Sequence, residues 1–153
     1  MSTISTRNGA PPVVGQAGET IVRDFLEAMA REDLDAALAL LDDDVAYTNV
    51  SLPTIHGRRA VGRVFQPLLG RAGFKVHFHS VMSEGGTVLT ERTDALLLGP
   101  VHWQFWVYGR FEVRNGKITV WRDSFDWLDM NVGLVRGLLG VVVPGLRRRW
   151  PGT

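Results

Sequence analysis

Arg92 and Asp94 stand two residues apart in Thr90-Glu91-Arg92-Thr93-Asp94. On a strand such a pair leaves from one face, here the face that also carries Val88, Thr90, Leu96 and Leu98. Asp123 lies between Trp121 and Phe125 at the same alternate spacing, and Tyr47 and Asn49 form a third such pair. Ionisable groups on faces that otherwise read as buried are the informative ones. The planar fork of an arginine can hold two carboxylates at once. An apolar surround raises the pKa of one carboxyl while the guanidinium keeps the other charged. The trio then holds a general acid and a general base in fixed relation. Such a pair suits addition of water to a strained ring, one group protonating the leaving oxygen while the other deprotonates water. An ordinary structural ion pair has the same pattern, and the pattern leaves both open.

Other chemistries are narrowed by composition. With no cysteine among 153 residues, disulfides, thiolate metal sites and cysteine nucleophiles are excluded. His77 and His79 could share a strand face as a metal pair, but no third ligand lies near them in sequence, so no metal is expected. Gly85-Gly86 reads as a hairpin turn, and no glycine-rich phosphate loop is present, so no cofactor is expected either. The net charge is +1, from 17 basic and 16 acidic residues, and the one dense basic cluster is Arg147-Arg148-Arg149. A protein that works on phosphate backbones needs a clear basic excess, so nucleic acid is not an expected partner. The start of the chain lacks the apolar stretch of a secretory signal, and no run approaches a membrane span. The expected location is cytoplasmic.

These residues need elements to position them. Residues 1–17 are polar, rich in Ser, Thr, Gly and Pro, and read as a flexible arm. Residues 18–146 read as a single domain, and 147–153 as a basic tail. Val22, Phe25, Leu26 and Met29 predict a helix over Glu19–Arg31. Leu34, Ala37, Leu38 and Leu41 predict a second, with Asp33 as N-cap. It should end before Asp42-Asp43-Asp44, which oppose the dipole at a helix C-terminus. Val45–Val50 reads as a strand, and Arg59–Arg71 as a helix that Pro67 should kink or shorten. Strands follow over Phe74–Met82, Val88–Leu98, His102–Val113 and Ile118–Asp126, with Asn115-Gly116 as a hairpin turn. Leu128–Leu146 predicts a last helix, stopped by Pro144. Helices first, then a meander, then a helix is an α+β layout with helices on one face of a sheet.

Thr90–Asp94, the stretch Gly116–Asp126 and Tyr47-Thr48-Asn49 together resemble the limonene-1,2-epoxide hydrolases, and the likeness runs from the first helix to the last. The resemblance implies a cone-shaped, curved mixed sheet with helices on its concave side closing a deep pocket, of the nuclear-transport-factor-2-like (SnoaL-like) type, usually a homodimer. It implies cofactor-independent, one-step hydrolysis without a covalent ester. Asp123 would deprotonate water, Asp94 protonate the epoxide oxygen, and Arg92 bridge them, while Tyr47 and Asn49 help hold the water. Leu96, Phe105, Val107 and Phe125 would form the pocket wall.

The C-terminal helix and its basic end also resemble a longer, actinobacterial-type branch with bulkier substrates. The expected substrate is therefore a hydrophobic epoxide, terpenoid or lipid- and sterol-like. The same helix could touch a membrane surface weakly. Two other functions fit parts of the pattern: an isomerase of ketosteroid type, and a non-catalytic binder of apolar ligands. The isomerase has no need of a guanidinium between its carboxylates, and the binder gives no reason for the five polar residues to converge.

Overall fold

The computed structural model describes residues 14–153. Val22, Phe25, Leu26 and Met29 are buried along one face of α1 (Val14–Ala30). Each contributes about 1.5–3 kcal/mol by leaving water. The helix begins earlier than its apolar stripe: Thr20 returns a hydroxyl bond to the Gln16 carbonyl at 3.0 Å, and Gly18 is buried against Val88 where a larger side chain would crowd. The expected arm therefore overlaps the first turn of α1, and residues 1–13 lie outside the described residues.

Asp33 caps α2 (Leu34–Ala39) by accepting the Ala36 amide at 3.0 Å, a bond worth about 1 kcal/mol. The helix ends before the acidic run, and β1 (Leu41–Asn49) starts there. Leu41 pairs with Ile118 and Ala46 with Val120, so the acidic residues bulge from the ladder. Asp43 meets Arg58 there. The short β2 (Ile55–His56), not expected from the sequence, pairs with β1 at Ala46 and Tyr47. It is too brief to show alternation. Next, α3 spans Arg58–Leu69, and Pro67 in its last turn lacks the amide that would donate to the Arg63 carbonyl, in keeping with a helix that ends two residues later.

Strands β3 (Gly73–Glu84), β4 (Thr87–Leu98), β5 (Val101–Arg114) and β6 (Lys117–Ser124) form an antiparallel meander. Asn115 and Gly116 turn β5 into β6 with φ of 50° and 75°, as a two-residue hairpin requires. Strand β1 joins β6 in parallel, which makes the six-stranded sheet mixed, in the order β2-β1-β6-β5-β4-β3. The helices cover its concave side, and the main core joins α1 to Val45, Val61, Val88, Phe111 and Ile118.

The last helix, α4 (Trp127–Val142), packs on β5. Strand β6 ends opposite Tyr108, so among the described residues no strand lies on that side of residues 101–107 of β5. There α4 presents glycine. A methyl group on Gly133 would collide with the Gln104 carbonyl oxygen, and one on Gly137 would lie 2.5 Å from that of His102. Asp126 caps α4, accepting the Leu128 amide at 2.7 Å, and Asp129 accepts the Trp106 amide at 3.1 Å. A 3-10 turn (Pro144–Leu146) follows, and residues 147–150 fold back on the body. Arg148 pairs with Asp129 at 2.7 Å, and Lys75 sits over the Trp150 ring.

Candidate active site

Strand register builds the polar cluster. Asn49 lies beside Asp123 and Tyr47 beside Trp121 across the parallel β1–β6 pair. Asp123 neighbours Gly109 on β5, and Gly109 neighbours Thr90 on β4. Arg92 and Asp94 continue along β4 on the same face, opposite Val107 and Phe105.

Arg92 is fully buried and its guanidinium crosses β5 to reach β6. Its Nε donates to both carboxylate oxygens of Asp94, at 3.0 and 3.1 Å. One terminal nitrogen donates to Asp123 Oδ2 at 2.6 Å and the other to the Thr90 hydroxyl at 3.0 Å. Each nitrogen of the fork thus has a partner. Asp123 Oδ1 and Trp121 Nε1 are buried without a hydrogen-bond partner among the described residues. That leaves an acceptor and a donor beside the cavity.

The crossing depends on Gly109. A methyl group there would collide with the Arg92 guanidinium, and it would stand 2.5 Å from the Thr90 hydroxyl and 2.8 Å from the Phe111 ring. Neither Gly109 nor Thr90 was expected as a site residue. A glycine in the middle of an alternating strand was the available signal, since it often marks a close approach.

Burial of Asp94 raises its pKa to about 6, the charge of Asp123 pushing the same way and Arg92 opposing it. Burial disfavours charge on Arg92 too, but the two facing carboxylates outweigh it and hold the guanidinium cationic. Burial, assisted by Asp123, raises the Tyr47 phenol well above its ordinary value and keeps it a donor.

These groups open on one cavity of about 180 Å³, whose wall includes Tyr47, Asn49, Arg92, Asp94 and Asp123. Leu96, Phe105, Val107 and Phe125 line it as well, so the structure brings all nine sequence-named residues together. Leu26, Met29, Phe65, Leu68, Trp121 and Met130 add apolar wall. The Tyr47 and Trp121 rings lie 4.0 Å apart, which fixes the phenol beside the dyad. His77 and His79 lie elsewhere: His79 bonds the Thr93 hydroxyl and stacks on Trp106. Among the described residues no group of three or more His, Asp or Glu side chains gathers as a metal site.

The family model for the limonene-1,2-epoxide hydrolase catalytic domain matches residues 16–136. The chain belongs to the limonene-1,2-epoxide hydrolase family. Epoxide hydrolase EphG of Mycobacterium tuberculosis is 49% identical over 126 residues, spanning 82% of this chain and 85% of that protein. A solved M. tuberculosis LEH-like epoxide hydrolase superposes with a TM-score of 0.85 at 46% identity, covering 89% of this chain and 97% of that one. An NTF2-like protein of unknown function from Burkholderia pseudomallei K96243 shares the fold at a TM-score of 0.68 and 20% identity, over 77% of this chain and 97% of that one. This member of the epoxide hydrolase family thus has the NTF2-like fold, with the mixed curved sheet that the family resemblance implied.

Proposed function

We propose that this protein, an epoxide hydrolase by family, opens a hydrophobic epoxide of terpenoid or lipid- and sterol-like class to a vicinal diol in one step, without a cofactor. The observation that carries the mechanism is the Arg92 fork bonded to Asp94 and Asp123 in one apolar cavity. Asp123 is the base: its free Oδ1 takes a proton from water as the water oxygen bonds an epoxide carbon. The carbon–oxygen bond of the ring breaks, and the departing oxygen takes the proton of Asp94. Asp94 is suited to the acid role because burial holds its proton to about pH 6. Arg92 keeps both carboxyls at fixed spacing, and Tyr47 and Asn49 orient the water beside Asp123. The dyad ends with its protonation reversed and resets by exchange with solvent.

The apolar wall, with Leu96, Phe105, Val107 and Phe125 around the dyad, supports a hydrophobic substrate. A homodimer belongs to the same reading. The convex sheet face, where Met82, Leu89, Trp106 and Tyr108 are exposed, is open to a second copy.

Diol formation from an epoxide panel, terpene through fatty acid and sterol, in EDTA and with Asp123→Asn alongside, tests this reading. Turnover by the parent and a loss of at least about 10²-fold in the variant are expected for a general base. No diol from any member, or an undiminished variant, would overturn it.

A further inference from the structure

The outer face of α4 has no partner among the described residues. Leu128, Val132, Val135, Leu139 and Val142 follow one another at steps of four, three, four and three, which aligns them along one stripe of a helix. All five are exposed, Leu128 to 72% and Val142 to 83%. The stripe runs the length of a helix about 24 Å long. The opposite face is committed to β5 through Met130, Gly133 and Gly137, so α4 cannot roll to bury it. An apolar strip of this extent marks an interaction surface.

Charge indicates what covers it. Arg136 stands on one flank of the stripe, and Arg147, Arg148 and Arg149 lie along that side. One carboxylate, Asp129, faces the four, and it is taken by Arg148. The other acidic group at the helix, Asp126, is the N-cap. A second copy pairing its stripe about Val135 would set Arg136 against its own counterpart with no free carboxylate to separate them. An anionic bilayer surface meets both features, because an apolar face enters the acyl boundary while a basic flank contacts headgroups.

We infer that α4 is an interfacial helix that seats this protein on an anionic lipid surface. The same helix contributes Met130 to the cavity wall, and Phe125 precedes it, so a lipid-borne epoxide would reach the dyad along the docked element. That last step rests on the hydrophobic-substrate reading; lipid binding itself does not. Among the described residues no helix is long and apolar enough to cross a membrane. The attachment is therefore to the surface.

The test is co-sedimentation of the full chain with phosphatidylcholine vesicles, with and without phosphatidylglycerol. Light scattering for oligomeric state and diol assay on a small terpene epoxide run in parallel. Binding to the anionic vesicles, weakened by salt, is expected. Val135→Asp with Leu139→Asp should lower it at least about tenfold while turnover of the small epoxide is kept. Arg136→Glu with Arg149→Glu leaves the stripe whole and should also lower it, so a folding defect in the first pair cannot decide the matter. Failure of the parent to bind, or equal binding to both vesicle types, overturns the inference. So does conversion of a dimer to a monomer by the aspartate pair, which would assign the stripe to a second copy. Absence of diol with intact vesicle binding would strike the catalytic reading alone.

Discussion

Gly109 and Arg92 share one place on the concave face: the guanidinium that reaches Asp123 occupies the space into which any side chain on Gly109 would project. The arginine spans from β4 to β6 because β5 offers bare backbone between them. The catalytic spacing proposed here is thus set by a residue with no functional group.

Gly109→Ala should therefore displace the fork. The added carbon also meets Thr90 and Phe111, so the side chain cannot simply swing aside. We expect kcat to fall at least about tenfold with a smaller change in KM, together with an overpacking cost of about 1–3 kcal/mol. Steady-state kinetics and urea denaturation measure the two effects. Unchanged kcat would mean that the bridge is dispensable.

Arg92→Lys keeps the charge and loses the fork. One ammonium cannot reproduce the bonds to Thr90, Asp94 and Asp123. Stability should drop by about 1–3 kcal/mol from buried polar groups left unpaired. Turnover should fall at least about 10²-fold, the scale of lost acid–base catalysis. A lysine variant that retained turnover would show that charge alone suffices.

The raised pKa of Asp94, about 6, gives a sign for pH dependence. As the acid, Asp94 must be protonated, so kcat/KM should decline as pH rises through about 6. The native state also binds this proton more tightly than the unfolded chain does. Its contribution to stability is therefore fully present below the ordinary carboxylate value of 3.8 and lost as pH rises through about 6. Asp94→Asn should flatten that stretch of the stability profile and abolish most turnover. A rate that instead climbs through pH 6 would exchange the roles of the two aspartates.

Gly137→Ala separates helix propensity from packing. On an exposed helix the change stabilises by about 1 kcal/mol. Here the new methyl meets the His102 carbonyl at 2.5 Å, so the protein should lose stability. The melting temperature should fall at roughly 2–4 °C per kcal/mol for a chain of this size. A rise would show that α4 can lift from β5 without penalty.

The sequence exposed the dyad because charged residues stood out on alternating strand faces. Arg92 and Asp94 interrupt a row of leucine and valine, and Asp123 sits among aromatics. Asn115-Gly116 was equally plain, since few other pairs accept positive φ twice. The mixed character of the sheet was legible only through family likeness: nothing local in Leu41–Asn49 says that it runs parallel to β6. The start of α1 was missed because its first turn carries no apolar stripe. Gly109 was missed because its role belongs to the strands on either side of it. A residue whose function is to be absent gives no chemical signal of its own.

The bare approach of α4 to β5 has another consequence. Along residues 101–107 no strand among the described residues lies beyond β5, and such a margin would template the addition of a strand from another chain. With Gly133 and Gly137 seated over the Gln104 and His102 carbonyls, and Asp129 holding the Trp106 amide, that stretch is closed to polymerisation. A bulkier helix would leave a gap wide enough for a foreign strand, so the two glycines guard against aggregation.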